Sequence, residues 1–372
     1  MRTFNIGVIG AGFMGRAHSL AYSSIPFFYD APFNARLMCI SASTIQRSND
    51  AATTLGFMHC ATWEQLINRG DVEIVSICTP NALHGPQIMA AAAAGKHVYV
   101  DKPVLSGMEG AESVASFLRS NNVINGVHFH NRFYPSVMRA KELIGEGRLG
   151  RVISFRAVYL HSGSVDPNRP ISWKSDANQS GGGVILDLGS HVFDLIYHLI
   201  GEYANINART TVLYDKRPDK AGNMADISAE DAFTALVRMK CGAEGTVEAS
   251  KIATGAEDEL RLEIHGDRGA IKLSLDHPGQ LWFYDNTLPE QPLGGTRGYT
   301  VIECLGKYPS VVFPPGKNTI GSMRAHIHAI YCFLDAVYHN RPASPDIAEG
   351  LYIQRVMDAA YRSAREGGNV VV

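Results

Sequence analysis

Three groups of residues in this sequence have types and spacings suited to chemistry. Near the start, Gly10-Ala11-Gly12-Phe13-Met14-Gly15 follows an apolar run from Asn5 to Ile9 and leads into a helical pattern. In that context a G-x-G-x-x-G suits a dinucleotide: Gly10 allows the tight turn, Gly12 lets a pyrophosphate approach the backbone, and Gly15 permits close helix packing. The helix start offers N–H groups and partial positive charge to the anion, with Phe13 and Met14 completing the candidate cofactor contacts. The second group lies at the ends of later strand patterns, Thr79-Pro80-Asn81 with His84, and Asp101-Lys102-Pro103. Ligands of open α/β sheets bind at the carboxyl ends of strands, so Thr79, Pro80, Asn81, His84, Asp101 and Lys102 are cofactor-side candidates. The bland alternative makes Lys102 a surface cation before a helix. The third group is a glycine-flanked apolar helix in which Asp187 and His191, four apart, share a face that Asp194 and His198 continue. Polar groups in such a helix need partners or a ligand. On spacing alone they could satisfy one another or the backbone, hold a divalent metal, or meet a substrate; no metal site is assigned.

The elements that must position these residues fall into two patterns. Up to about residue 130, short apolar runs alternate with helical ones, which predicts parallel strands joined by helical crossovers: a doubly wound Rossmann-type α/β sheet. A helical pattern from Ser136 to Glu146 stops at Gly147 and Gly150, and strand patterns then dominate at 151–161, 231–239, 245–251, 260–265 and 270–275. Strands in succession favour an antiparallel or mixed sheet. The expected division is therefore a dinucleotide-binding domain over residues 1–130 and a C-terminal α+β domain with a large, mostly antiparallel open sheet over 131–372, whose exposed face could join subunits.

At the end of the second strand a dinucleotide site normally places a carboxylate on the adenosine ribose. This chain reads Ile40-Ser41-Ala42-Ser43 there, with Arg47 shortly after. Nothing acidic would repel a 2′-phosphate, and Ser41, Ser43 and Arg47 are candidate contacts, so the expectation leans to NADP with NAD open.

Composition narrows the partners. The chain has 372 residues, 45% hydrophobic and 19% charged, with formal net charge −2. No run of Lys or Arg would draw in nucleic acid or an anionic bilayer, and the apolar runs are too short to span a membrane. Six scattered cysteines without a C-x-x-C pair suggest neither a disulfide framework nor a zinc ribbon. A small-molecule substrate and a cytoplasmic location are the expectations.

Together these residues resemble the GFO/IDH/MocA family, which includes glucose-fructose oxidoreductase and inositol dehydrogenase. The resemblance rests on Gly10-x-Gly12-x-x-Gly15, Thr79-Pro80-Asn81-x-x-His84, Ala94-Gly95-Lys96-His97 running into Asp101-Lys102-Pro103, and Gly182-Gly183 followed by Asp187, Gly189, His191 and Asp194. Asp101 stands where the family usually carries Glu. The Gly12-to-Ser19 start, the insert around Pro26-Phe27-Phe28 and the loop from Asp166 to Trp173 are similar to the levoglucosan dehydrogenase branch, which oxidises a pyranose ring hydroxyl. The resemblance implies Lys102, Asp187 and His191 as the catalytic set, a sugar, anhydrosugar or inositol as substrate, and a homo-oligomer, dimer or tetramer.

Removing hydride from a carbinol carbon also requires losing the hydroxyl proton. His191 is the candidate base, Lys102 the charge-assisted donor to the developing alkoxide, and Asp187 the orienting group; proton uptake by Lys102 is the alternative. Asn131, Arg132, Tyr134, His161 and Lys174 are candidate hydroxyl contacts, and Trp173 could stack on a sugar ring. Two competing functions use the same fold: an NAD-dependent glycosidase with transient redox, and a cofactor- or sugar-binding sensor without turnover.

Overall fold

The alternating runs of the N-terminal part build a six-stranded parallel sheet in the order β3-β2-β1-β4-β5-β6, from β1 (Arg2–Ile9), β2 (Phe33–Ser41), β3 (His59–Cys60), β4 (Ile74–Ile77), β5 (His97–Val100) and β6 (Asn125–Val127). The computed structural model describes residues 1–172, 176–318 and 321–372. Helices cover both faces of this sheet, which is why β4 is buried at every position instead of alternating. The strand order reverses between β1 and β4, where Ile9 pairs with Ile77. At such a switch point the crossover helices leave in opposite directions and open a crevice at the carboxyl ends of the strands.

Two units emerge from the packing: Met1–Phe133 with Lys307–Tyr352, and Tyr134–Gly306 with Ile353–Val372. The expected boundary at residue 130 assigns 307–352 to the C-terminal part, whereas in the structure that segment packs with the first unit. Its helix Met323–Tyr338 puts Ile327, Ile330, Phe333, Leu334 and Val337 into the core that also holds Tyr22, Ile25, Tyr29 and Phe33. Apolar periodicity marked this segment as a helix but carried no information about which sheet it would cover.

The second unit is built on a nine-stranded sheet in the order β16-β15-β14-β13-β7-β12-β11-β8-β17, comprising β7 (Val152–Leu160), β8 (Tyr203–Thr211), β11 (Ala232–Met239), β12 (Glu244–Ser250), β13 (Glu259–Gly266), β14 (Gly269–Ser274), β15 (Gln280–Asp285), β16 (Tyr299–Glu303) and β17 (Val370–Val371). A separate two-stranded ribbon pairs β9 (Lys216–Pro218) with β10 (Met224–Asp226). Within the large sheet β7 and β12 run parallel and the other pairs antiparallel. Burial alternates along β11, the signature of a sheet covered on one face, and the outer face carries exposed Leu236.

Candidate active site

In the first unit the fingerprint has the geometry its residue types require. Gly10 lies at φ 105°, and a Cβ there would come within 2.4 Å of the Cys78 carbonyl oxygen; one at Gly15 would come within 1.8 Å of the Gly10 oxygen. Any side chain at either position would push the turn off the sheet. At Gly12, by contrast, a Cβ would meet nothing within 4 Å, so the backbone there faces open space at the start of the Phe13–Phe28 helix. Gly12 is the N-cap and makes no side-chain cap, leaving the helix-start N–H groups to an outside acceptor. These residues fit a dinucleotide pyrophosphate. Phe13 is exposed at the same turn and Met14 half-buried.

Ser41 ends β2, and its carbonyl accepts the Gly10 N–H at 2.8 Å, tying the second strand to the fingerprint. Ser43 and Arg47 are exposed, and Arg47 Nη1 donates to Ser43 Oγ at 3.0 Å. Thr44 caps the Ile45–Leu55 helix by accepting the Arg47 N–H. A hydroxyl and a guanidinium thus stand together just past the end of β2, with no carboxylate from 41 to 47.

After β4 and β5, Thr79 Oγ1 donates to Gln87 Oε1 at 2.7 Å, Pro80 is exposed and Asn81 is buried. Asp101 Oδ1 accepts the Lys102 N–H at 2.9 Å, and both side chains are half-buried. His84 departs from its expected place among solvent-facing cofactor contacts. It is fully buried, and its two ring nitrogens face the backbone carbonyls of Thr79 (2.8 Å) and Pro103 (2.9 Å), so it fastens together the two loops that present Thr79 and Lys102. Burial pushes its pKa below the ordinary histidine value. Arg132 departs in the same way: it is 3% exposed and forms a 2.6 Å ion pair with Glu349, because a buried guanidinium needs a carboxylate. Asn131 is buried, and its Nδ2 has no hydrogen-bond partner among the described residues.

In the second unit the segment carrying Asp187 and His191 is helical but not uniformly α: Ile185–Gly189 forms a π turn before the α-helix Ser190–Ile200. Such turns insert an extra residue and locally rotate the side chains that follow. The amino end of this segment is held by Glu230, whose carboxylate accepts the N–H groups of Gly183 and Ile185, each at 2.9 Å, while its carbonyl accepts that of Val184. Tyr361 donates to the same carboxylate at 2.7 Å. A Cβ at Gly183 would lie 2.2 Å from the Glu230 carbonyl oxygen, so the glycine is there for close approach.

From this scaffold Asp187 reaches the half-buried Lys251, whose ammonium lies 3.1 Å from Oδ2. His191 is 5% exposed and meets the edge of the Tyr159 ring at 5.9 Å. Tyr159 donates to Asp258 Oδ1 at 2.8 Å, and His161 Nε2 lies 3.0 Å from the same oxygen. The His161 and Tyr159 hydrogen bonds hold Asp258 below the usual carboxylate range, whereas burial raises the Tyr159 and Tyr134 phenols. Tyr134 is buried and Asp194 fully so. Trp173 and Lys174 lie outside the described residues. Lys251, Tyr159, Asp258 and Glu230 escaped the sequence reading. Each sits on or beside a strand far along the chain from the Asp187 helix, and no local spacing links them to it.

Among the described residues, His128, His130 and His326 are the group of metal-ligating side chains that converges within 4.8 Å. His128 Nε2 and His326 Nδ1 are 2.7 Å apart, whereas metal bonds of about 2.0–2.1 Å in tetrahedral geometry hold two nitrogens about 3.3 Å apart. The His130 and His326 rings stack at 3.8 Å and 16°, so their in-plane lone pairs run nearly parallel instead of meeting at a point. This geometry suits a hydrogen-bonded ring stack, continued by Tyr99 Oη on His128 Nδ1 at 2.8 Å, and does not suit a metal centre.

Comparison with known proteins finds relatives along the whole chain. Residues 4–129 match the oxidoreductase family with an NAD-binding Rossmann fold, and 137–272 match the GFO/IDH/MocA C-terminal domain. A levoglucosan dehydrogenase from Pseudarthrobacter phenanthrenivorans is 31% identical over 98% of this chain and 97% of its own length. An inositol 2-dehydrogenase from Rhizobium meliloti is 26% identical over 98% of each chain. A solved levoglucosan dehydrogenase in complex with NADH and levoglucosan superposes with a TM-score of 0.95 at 31% identity, covering 100% of this chain and 99% of that one. With a dinucleotide cradle in one unit, a carboxylate–imidazole helix on a mixed sheet in the other, and likeness along its whole length, the chain belongs to the GFO/IDH/MocA oxidoreductase family.

Proposed function

We propose that this protein is an NAD(P)-dependent dehydrogenase that oxidises a secondary ring hydroxyl of a sugar, anhydrosugar or inositol to a ketone. The observation that carries this reading is the polar set Asp187, Lys251, Tyr159, His161 and Asp258 gathered beside His191, in a chain whose other unit presents a dinucleotide cradle. Such a set offers both donors and acceptors, which a polyhydroxylated ring needs and an apolar substrate would leave unsatisfied. The relatives named for levoglucosan and inositol support the same substrate class.

In this reading His191 takes the hydroxyl proton. The Lys102 ammonium donates to the same oxygen as it gains alkoxide character, and Asp187 orients the substrate. Bound cofactor supplies the hydride acceptor. Tyr134, His161 and Asn131 are proposed hydroxyl contacts. The hydroxyl and guanidinium of Ser43 and Arg47, in the absence of a ribose carboxylate, support use of NADP beside NAD. The six free cysteines accord with a reducing cytoplasm, and the exposed apolar Leu236 on the outer sheet face supports assembly as a homo-oligomer. No described helix is long and apolar enough to cross a membrane.

The test is the near-ultraviolet absorbance of reduced nicotinamide, followed with NAD and NADP in parallel across inositols, levoglucosan, monosaccharides and glycosides. Cofactor reduction with a ring polyol is the expected result, at comparable or better efficiency with NADP. Cleavage of a glycoside without net reduction would replace this reading with an internally recycling glycosidase. Cofactor and sugar binding without any product would indicate a sensor.

A further inference from the structure

Lys251 lies at the end of β12, where Ser250 pairs with Leu160 on β7. Its backbone is fixed from two sides: its N–H donates to the Asp231 carbonyl and its own carbonyl accepts the Ser164 N–H, both at 2.8 Å. The side chain therefore starts from a rigid strand end, and strand-borne groups are placed more reproducibly than loop-borne ones. It is 18% exposed, and its ammonium meets Asp187 Oδ2, on a side chain 21% exposed. At that burial an ion pair is screened less than on an open surface. Holding one carboxylate oxygen at 3.1 Å restricts the Asp187 side-chain rotamer and so sets the direction of the other oxygen.

Asp187 has particular need of such a fixture because it projects from the π turn Ile185–Gly189, whose i→i+5 pattern is less regular than the α-helix after it. We propose that Lys251 is a positioning residue for the dehydrogenase reaction: its ammonium holds the Asp187 carboxylate in the orientation that serves the substrate. The proposal rests on the function stated above and adds to it a residue that acts through Asp187. A misplacement of about 1 Å at a reacting geometry can cost roughly a hundredfold in rate, so loss of this contact should appear in turnover.

The experiment compares Lys251→Met and Lys251→Arg in steady-state kinetics, NAD(P)H binding by fluorescence, and crystal structures of the full chain. Lys251→Met is expected to lower kcat about tenfold or more with little change in nicotinamide affinity, and Lys251→Arg to recover most of the loss. In an Asp187→Asn background, Lys251→Met is expected to have little additional effect. Wild-type kcat in Lys251→Met, equal impairment of the Met and Arg variants, or full additivity with Asp187→Asn would each overturn the proposal. The crystal structures read the positional claim without turnover: Asp187 is expected to leave its place in Lys251→Met and keep it in Lys251→Arg, and an unmoved carboxylate in the Met variant overturns the claim. Failure of the wild-type protein to oxidise any polyol would instead remove the functional reading, and the Asp187 position would still decide the role of Lys251.

Discussion

In the proposed reaction His191 takes the hydroxyl proton and Lys102 donates a hydrogen bond to the oxygen that loses it. In that reading, truncating either group removes an interaction with the reacting oxygen and leaves the Gly10-to-Gly15 turn intact. Lys102→Ala and His191→Ala are each expected to reduce turnover by roughly a hundredfold or more with cofactor affinity nearly intact. Steady-state rates and fluorescence titration with NAD(P)H check this, and full activity in either variant would remove that residue from the mechanism. The same scale shows why residue type alone misleads. His84 and Arg132 are polar residues in suggestive positions, yet one is buried against two carbonyls and the other against Glu349. Burial converts a candidate ligand into a structural tie, and burial is not a property of the residue.

The Asp187–His191 segment illustrates what an element owes to its neighbours. Its glycine-rich start and apolar character announced a helix, but the π turn at Ile185–Gly189 and the carboxylate cap were not foreseeable from a spacing of four. Glu230 satisfies two N–H groups at the helix start with its carboxylate and a third with its carbonyl, and it lies against the macrodipole's positive end. Leaving buried N–H groups unsatisfied costs about 1–3 kcal/mol each. Glu230→Ala is accordingly expected to lower unfolding stability by roughly 2 kcal/mol or more, with Glu230→Gln less affected because its amide oxygen still accepts. Urea denaturation midpoints measure the effect; an unchanged midpoint in the Ala variant would mean that the cap contributes nothing to stability.

Across the molecule the most unusual feature is the concentration of histidine inside the first unit, where His18, His128, His326 and His328 are all buried. Burial pushes His18 and His328 down to about 3 and His326 to about 4. Because the folded values lie below the unfolded value of about 6.5, the unfolded chain binds more protons as pH falls. The stability these neutral rings contribute is thus fully present above about pH 6.5 and is lost progressively toward pH 4, by up to about 1.4 kcal/mol per pH unit for each ring. A urea midpoint that falls between about pH 7 and about pH 5 is the expected outcome. A flat profile would mean that these rings are accessible to protons in the folded state.

Local sequence determined the elements and the candidate residues they carry. The fingerprint, the strand-end Lys102 and the Asp187–His191 pair were legible because a turn's glycines, a strand's apolar run and a helix's four-residue repeat are short-range properties that neighbouring residues enforce on one another. Only the tertiary structure decided that 307–352 returns to the first unit, that Arg132 and His84 are tied up in buried contacts, and that Lys251, Tyr159, Asp258 and Glu230 converge on the Asp187 helix. Those partners come from segments tens of residues or more away in the chain, brought together by sheet register and core packing. No local pattern encodes them, since register and packing are set by the whole set of strands competing for the same buried faces.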